Sequence, residues 1–180
     1  MRETFVAGLD IGLGATGFVI AKAKSEDEVE PMHAGVVRVH KDPNAPKTKD
    51  RARMVREMYR GIRDLLTYWE VDAIFVEMPS GAKSANALTA LSSASAIVSC
   101  VVEEDHLGFE MFTPVECKRA VTGKAGGKVP KRAVEAAVLD LWPDLPWPEK
   151  WEDREHAVDA ASVLVAALGG RLMRSLEKDD

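Results

Sequence analysis

The sequence predicts an α/β fold: one mixed five-stranded sheet flanked by helices. Three observations point there. The first 40 residues hold three short β-rich runs with no helical period between them. Beyond them, apolar residues at helical spacing alternate with short β-rich runs. One of those runs, VDAIFVEMP at 71–79, is nearly all apolar, which suits a strand covered on both faces. An N-terminal meander followed by strand–helix–strand units gives antiparallel early strands and parallel later ones.

The elements follow in the order β-β-β-α-β-α-β-α-α. The first strand spans 4–11, and the glycines after Ile11 form a turn into the second strand, 16–24. Phe18, Val19 and Ile20 then pair back as a hairpin. A third strand covers 32–40 and runs into the proline-bearing loop KDPNAPKTKD. A helix extends from about Asp50 to Trp69, with Val55, Met58, Ile62, Leu65 and Trp69 as its apolar stripe. The strand at 71–79 comes next, then a helix over 84–103 with Leu88, Leu91, Ser95, Val98 and Val102 on one face. GFEMFTP, 108–114, is the fifth strand. Pro130 opens a helix that reaches Trp142, proline being at home in a first helical turn. After the loop PDLPWPEKW, a last helix runs from about Asp153 to Leu172. It is apolar on most sides and so well buried. No internal repeat is present. Residues 1–174 read as a single domain and 175–180 as a frayed tail.

Composition bounds the function. At 180 residues with 46% hydrophobic content, one domain can bury a full core. Cys100 and Cys117 sit far apart with no CxxC pairing, which fits reduced thiols and a cytoplasmic setting. MRETF at the start lacks a basic-then-apolar signal pattern. The uncharged run Ser84–Val102 has the length of a membrane span. It holds five serines, a threonine and an asparagine, so a buried helix rich in small residues is expected and no membrane partner.

The net charge of −5 is unevenly spread. Residues 38–63 hold nine Lys/Arg against three Asp/Glu, and residues 118–132 hold six Lys/Arg and no acid. The rest of the chain therefore carries −17. Two basic blocks on an acidic body form a local footprint for phosphate contact. In the first, Arg53, Arg56, Arg60 and Arg63 fall opposite the apolar stripe, as either a solvated face or a phosphate-contacting one. The second supplies Lys118, Arg119, Lys124, Lys128, Lys131 and Arg132, with Gly126-Gly127 giving a mobile loop.

Four other groups stand out. Asp10 lies in the apolar stretch FVAGLDIGLGATGFVI, and Glu77 ends the central strand. A carboxylate in such a place needs a cation or strong donors. Asp10 either caps the glycine-rich turn or holds a metal. His156 and Asp159 lie three apart near the start of the last helix, within about 60° of each other, with Glu155 at the edge of that face. Singly, each has an ordinary structural role open to it. Together, if the strands are neighbours, they make a set suited to hard divalent ions such as Mg²⁺ or Mn²⁺. Two such ions about 4 Å apart can activate a water and stabilise a leaving oxygen in phosphodiester hydrolysis.

The motifs LDIGLGATGFVI, FVEMP, TPVECKRAVTGKAGGKVPKRAV and HAVDAASVLVAAL, in this order and spacing, resemble the RuvC family of Holliday junction resolvases within the RNase H-like superfamily. The likeness covers most of the chain and is closest to shorter, divergent viral or plasmid-type members. It implies an RNase H-like fold and a homodimer that nicks a four-way DNA junction at paired sites. The ends left are 5′-phosphate and 3′-hydroxyl. It implies Asp10, Glu77, His156 and Asp159 as catalytic metal ligands, with two Mg²⁺ or Mn²⁺ ions per site. Lys118, Lys124, Lys128 and Lys131 match the family's DNA-contacting basic segment. Many cellular members carry an aromatic wedge soon after the second acid, where this chain has MPSGAKSAN. The helices at 84–103 and 50–69 are the candidates for the dimer interface. Three other readings stay open: a nuclease for flaps or forks, a junction-binding protein that does not cut, and a kinase-like phosphate loop of the actin/hexokinase/Hsp70 type around Asp10.

Overall fold

The computed structural model describes residues 3–78, 81, 84–124 and 129–176. Strands β1 (Phe5–Asp10), β2 (Ala15–Ser25) and β3 (Glu28–Arg38) form the antiparallel meander. After helix α1 (Lys47–Tyr68), strand β4 (Val71–Glu77) returns beside β1 and parallel to it. Helix α2 (Ala85–Asp105) leads to β5 (Gly108–Phe112), parallel to β4. The sheet order is β3-β2-β1-β4-β5, the mixed five-stranded arrangement expected.

Alternation along the central strands divides the molecule into two cores. Ala7, Leu9, Ile20, Ile74 and Val76 face Met54, Met58 and Ile62 of α1 and Ile97 and Val98 of α2. Val6, Val19, Ala73 and Phe75 face the other way, toward helices α4 (Lys131–Leu141) and α5 (Trp151–Ala167). Central strands buried on both sides explain why 71–77 shows no polar alternation.

Several expectations shift. GFEMFTP ends as a strand at Phe112, because Thr113 caps a helix the sequence reading missed, α3 (Pro114–Thr122). The Thr113 hydroxyl accepts from Glu116 N at 3.3 Å, and Glu116 Oε2 accepts from Thr113 N at 2.7 Å. This reciprocal cap, with Pro114 in the first turn, was legible as T-P-V-E. The last helix stops at Ala167 rather than Leu172. Gly169 takes a left-handed φ of 67°, its N–H donates to Glu26 O at 2.6 Å, and a separate helix α6 (Arg171–Leu176) follows. Positions 175 and 176, expected in the tail, close that helix, and 177–180 lie outside the described residues.

The largest correction concerns α2. Its buried residues are Ala94, Ile97, Val98 and Val101, so the packed face is rotated from the expected one, and Leu88 is 59% exposed. By length and composition this helix is apolar enough to cross a membrane, yet only 22% of that stretch is buried in the fold. Ser93, Ser95 and Ser99 return their hydroxyls to carbonyls one turn back, Ser95 to Leu91 O at 3.0 Å. On α1, Met54 and Leu66 join Met58 and Ile62 in the core, while Val55, Leu65 and Trp69 are half-buried at its margin.

Candidate active site

Asp10 and Glu77 are the last residues of the parallel neighbours β1 and β4. Leu9 pairs with Val76 in register, so the two acids leave the sheet one step further along, at the same edge. The two-residue period places both on the face toward α5, with Val6 and Phe75.

Helix α5 approaches this face closely because two glycines let it. A Cβ on Gly17 would lie 2.1 Å from His156 O, and one on Gly8 would lie 2.3 Å from Ala160 O. Gly17 is the register partner of Asp10 on β2. The imidazole of His156 thus reaches Asp10, with Nδ1 2.7 Å from Oδ2. An ionised carboxylate only accepts, so Nδ1 carries the proton and Nε2 points away from Asp10. The hydrogen bond to Asp10 raises the His156 pKa; burial opposes it, as does Arg38. Arg38 is itself ion-paired with Asp153.

The charges of the cluster act on one another. Burial, then the negative charges of Asp10 and Asp159, push Glu77 from its ordinary 4.5 to about 7. Burial and Asp10 likewise raise Asp159. Lys118 on α3 and Lys131 on α4 pull both acids back down, so they border the site. Cys117 packs beneath, and burial, then Glu77, push its thiol up to about 12, which makes it an inert filler.

Among the described residues, no three His, Cys, Asp or Glu side chains are closed tightly enough to hold an ion as they stand. The chemistry of the donor set tests the fit. Three carboxylates with one imidazole form an oxygen-rich donor set in which burial, and then the excess of negative charge, raises Glu77 and Asp159. A divalent cation relieves that imbalance.

The other expected contacts divide. Arg119, Lys124 and Arg132 are exposed, and Lys128 lies outside the described residues. Lys131 is ion-paired with Glu155, which turns from the acidic cluster to that lysine. Arg56 and Arg60 are exposed on α1. Arg53 differs: its guanidinium is held by Asp50 at 2.6 Å, Glu57 at 2.6 Å and His40 O at 2.6 Å. Arg63 is likewise paired with Asp105 at 3.2 Å. The charge count of α1 overstated its free cations because i,i+3 and i,i+4 partners neutralise Arg53 on the same helix.

The family model for crossover junction endodeoxyribonuclease RuvC matches residues 6–167. The RuvC protein of Parafrankia sp. is 30% identical over 163 residues, covering 91% of this chain and 83% of that protein. That of Desulforamulus reducens is 23% identical over 169 residues, covering 93% and 98%. Among solved structures, T. thermophilus RuvC in complex with Holliday junction substrate superposes with a TM-score of 0.69 at 21% identity, over 91% of this chain and 92% of that one. That likeness supports the RNase H-like fold. With the family match running from within β1 to the end of α5, the chain belongs to the RuvC family of crossover junction endodeoxyribonucleases.

Proposed function

We propose that this chain is a crossover junction endodeoxyribonuclease that resolves four-way DNA junctions by metal-dependent paired nicking. The observation that carries the reading is the convergence of Asp10, Glu77 and Asp159 at one sheet edge, with His156 bonded to Asp10. Like charges that are half-buried together are expensive to assemble, and such clusters mark functional sites. In the proposed scheme, Asp10, Glu77, His156 and Asp159 hold divalent cations, Mg²⁺ or Mn²⁺ and two per site. Such ions supply Lewis-acid charge against a phosphodiester. Donation from Nδ1 to Asp10 leaves the lone pair of His156 Nε2 for a cation.

Lys118 and Lys131 flank the acids and would take the non-bridging oxygens of the scissile phosphate, positioning phosphorus for in-line attack. A water oxygen–phosphorus bond forms as the bond to the 3′-oxygen breaks, leaving 5′-phosphate and 3′-hydroxyl ends. Arg119, Lys124, Lys128 and Arg132, with Arg56 and Arg60 on α1, would track neighbouring phosphates.

A four-way junction presents two equivalent strands, so two sites in a symmetric homodimer match it. The exposed apolar side of α2 and the adjoining groove of about 500 Å³ against α1, lined by Val55, Tyr59, Ala96, Ile97 and Cys100, support these helices as the interface. We place the reaction in the cytoplasm, where free thiols and chromosomal DNA coexist, and treat residues 1–174 as one nuclease domain. The test is cleavage of a labelled four-way junction beside a flap and a linear duplex of the same sequence. Paired symmetric nicks in the junction alone support resolution; equal cutting of the flap supports a general branch nuclease.

A further inference from the structure

Outside the acidic cluster, a cleft of about 550 Å³ lies on the opposite face of the sheet, between the first turns of α1 and α2. It opens at the same sheet edge as the acids. Leu13 and Gly14, which line it, lie three and four residues beyond Asp10 on the turn into β2. The floor is apolar: Leu13 and Met54 are 7% and 5% exposed, with Ala90 of α2 beside them. Lys41, Lys47 and Arg51 form a cationic rim. Asp50 also lines it, but that carboxylate is 8% exposed and committed to Arg53 and to the backbone N–H of Asp42.

Two features mark the rim as more than solvated surface. Lys47 and Arg51 are four apart on the first turns of α1, where like charges repel and the positive end of the helix opposes them. Among the described residues, neither has a hydrogen bond or ion pair to offset this, in contrast to Arg53 and Arg63 on the same helix. Cations placed against local stability around an apolar pocket suit a ligand that is anionic at one end and flat and apolar at the other.

We infer that this cleft receives one unstacked nucleotide of the strand being cut, its base on Leu13, Met54 and Ala90 and its flanking phosphates on Lys47 and Arg51. The inference rests on the nuclease reading above, because the strand must reach from the acidic centre across the shared sheet edge. A volume of this size accommodates a nucleotide. Stacking on an apolar floor with cations at the phosphates is how single-stranded segments are gripped without base-specific hydrogen bonds. Opening one base is least expensive at a branch point, where stacking is already interrupted. The cleft would therefore favour junctions over continuous duplex.

The test uses the full chain and junctions carrying 2-aminopurine at single positions on either side of the nicked bond, in Ca²⁺ to hold the complex uncut. Wild type should brighten one position several-fold through unstacking. Ala90→Phe fills the floor and should abolish that signal while its melting temperature and Mn²⁺ binding at the acidic centre stay at wild-type values. Lys47→Ala with Arg51→Ala should weaken junction binding at least tenfold and lower the salt slope by about 1.4, two single-strand phosphate contacts. No brightening at any position in a tight wild-type complex overturns the inference while leaving the nuclease reading intact. So does an unchanged salt slope in the double variant. If wild type neither binds nor cuts junctions, the nuclease reading falls and this inference with it.

Discussion

Gly17 holds the distance between the sheet and the helix that carries half of the site, so Gly17→Ala should separate folding from catalysis. A Cβ there would sit 2.1 Å from the oxygen and 2.4 Å from the carbon of the His156 carbonyl, and 2.8 Å from the His156 Cβ. Two of those atoms are backbone within α5, so no rotamer change relieves the clash. Restoring ordinary contact requires the helix to withdraw by roughly 1 Å. That movement takes His156 from Asp10 and shifts Asp159 with it. Overpacking of this kind costs about 1–3 kcal/mol of stability, and a 1 Å misplacement of catalytic groups lowers the rate about 100-fold. The assay is single-turnover cleavage of a four-way junction at saturating protein, with a thermal melt alongside. Gly61→Ala is the control. Its Cβ would meet the Val37 Cγ1 at 2.6 Å, a side-chain tip on the other face of the sheet, and it should cut at the wild-type rate. A folded Gly17→Ala protein that cuts within about twofold of wild type would refute the idea that this close approach sets the site.

Three further outcomes are expected. Without metal, stability should fall as pH rises. Glu77 at about 7 and a raised Asp159 favour the neutral carboxyl in the folded state; the Glu77 contribution is complete below about 4.5 and lost as pH rises through 7, and that of Asp159 is lost in the same direction. His156, raised by Asp10, loses its contribution in the same direction. The Glu77 shift alone corresponds to at most about 3 kcal/mol, and to about 1–2 after solvent screening. Melts in EDTA from pH 5 to 8 should decline and Mn²⁺ should restore the pH 8 value; a flat profile would contradict the charge crowding. Lys124→Ala with Lys128→Ala should weaken junction binding and lower its salt slope by about 2, read from binding at several salt concentrations. An unchanged slope would place the DNA surface elsewhere. Leu88→Glu on the exposed side of α2 should shift sedimentation toward monomer and replace paired nicks by single ones, whereas an intact dimer would move the interface off this helix.

Much of the fold was legible because period-2 and period-3.6 patterns survive in this chain. Asp10 and Glu77 stood out as acids in apolar strands, and strand alternation alone aligns them on one face. His156 and Asp159 were legible as a pair three apart. What joins the strands to the helix was not: Gly8 and Gly17 matter for the Ala160 and His156 carbonyls that face them from far along the chain, and a sequence shows no such neighbour. Helix α3 was missed although T-P-V-E announces it, because GFEMF before it pulled the reading toward strand. The packed face of α2 was misplaced because alanine and serine surround the helix and leave no sharp apolar stripe. Free and paired arginines on α1 look alike in a charge count, and only the geometry separates Arg51 from Arg53.

The measurement closest to the central claim is nicking of a labelled four-way junction by wild type and Asp10→Asn, each in Mg²⁺ and in EDTA, with junction binding read in parallel. Asp10 is both the hydrogen-bond partner of His156 and a charge that, after burial, raises Glu77 and Asp159. The account predicts paired nicks by wild type in Mg²⁺ only, and junction binding without cutting by Asp10→Asn. An Asp10→Asn protein that cuts at the wild-type rate, or a wild type that cuts equally in EDTA, would contradict it.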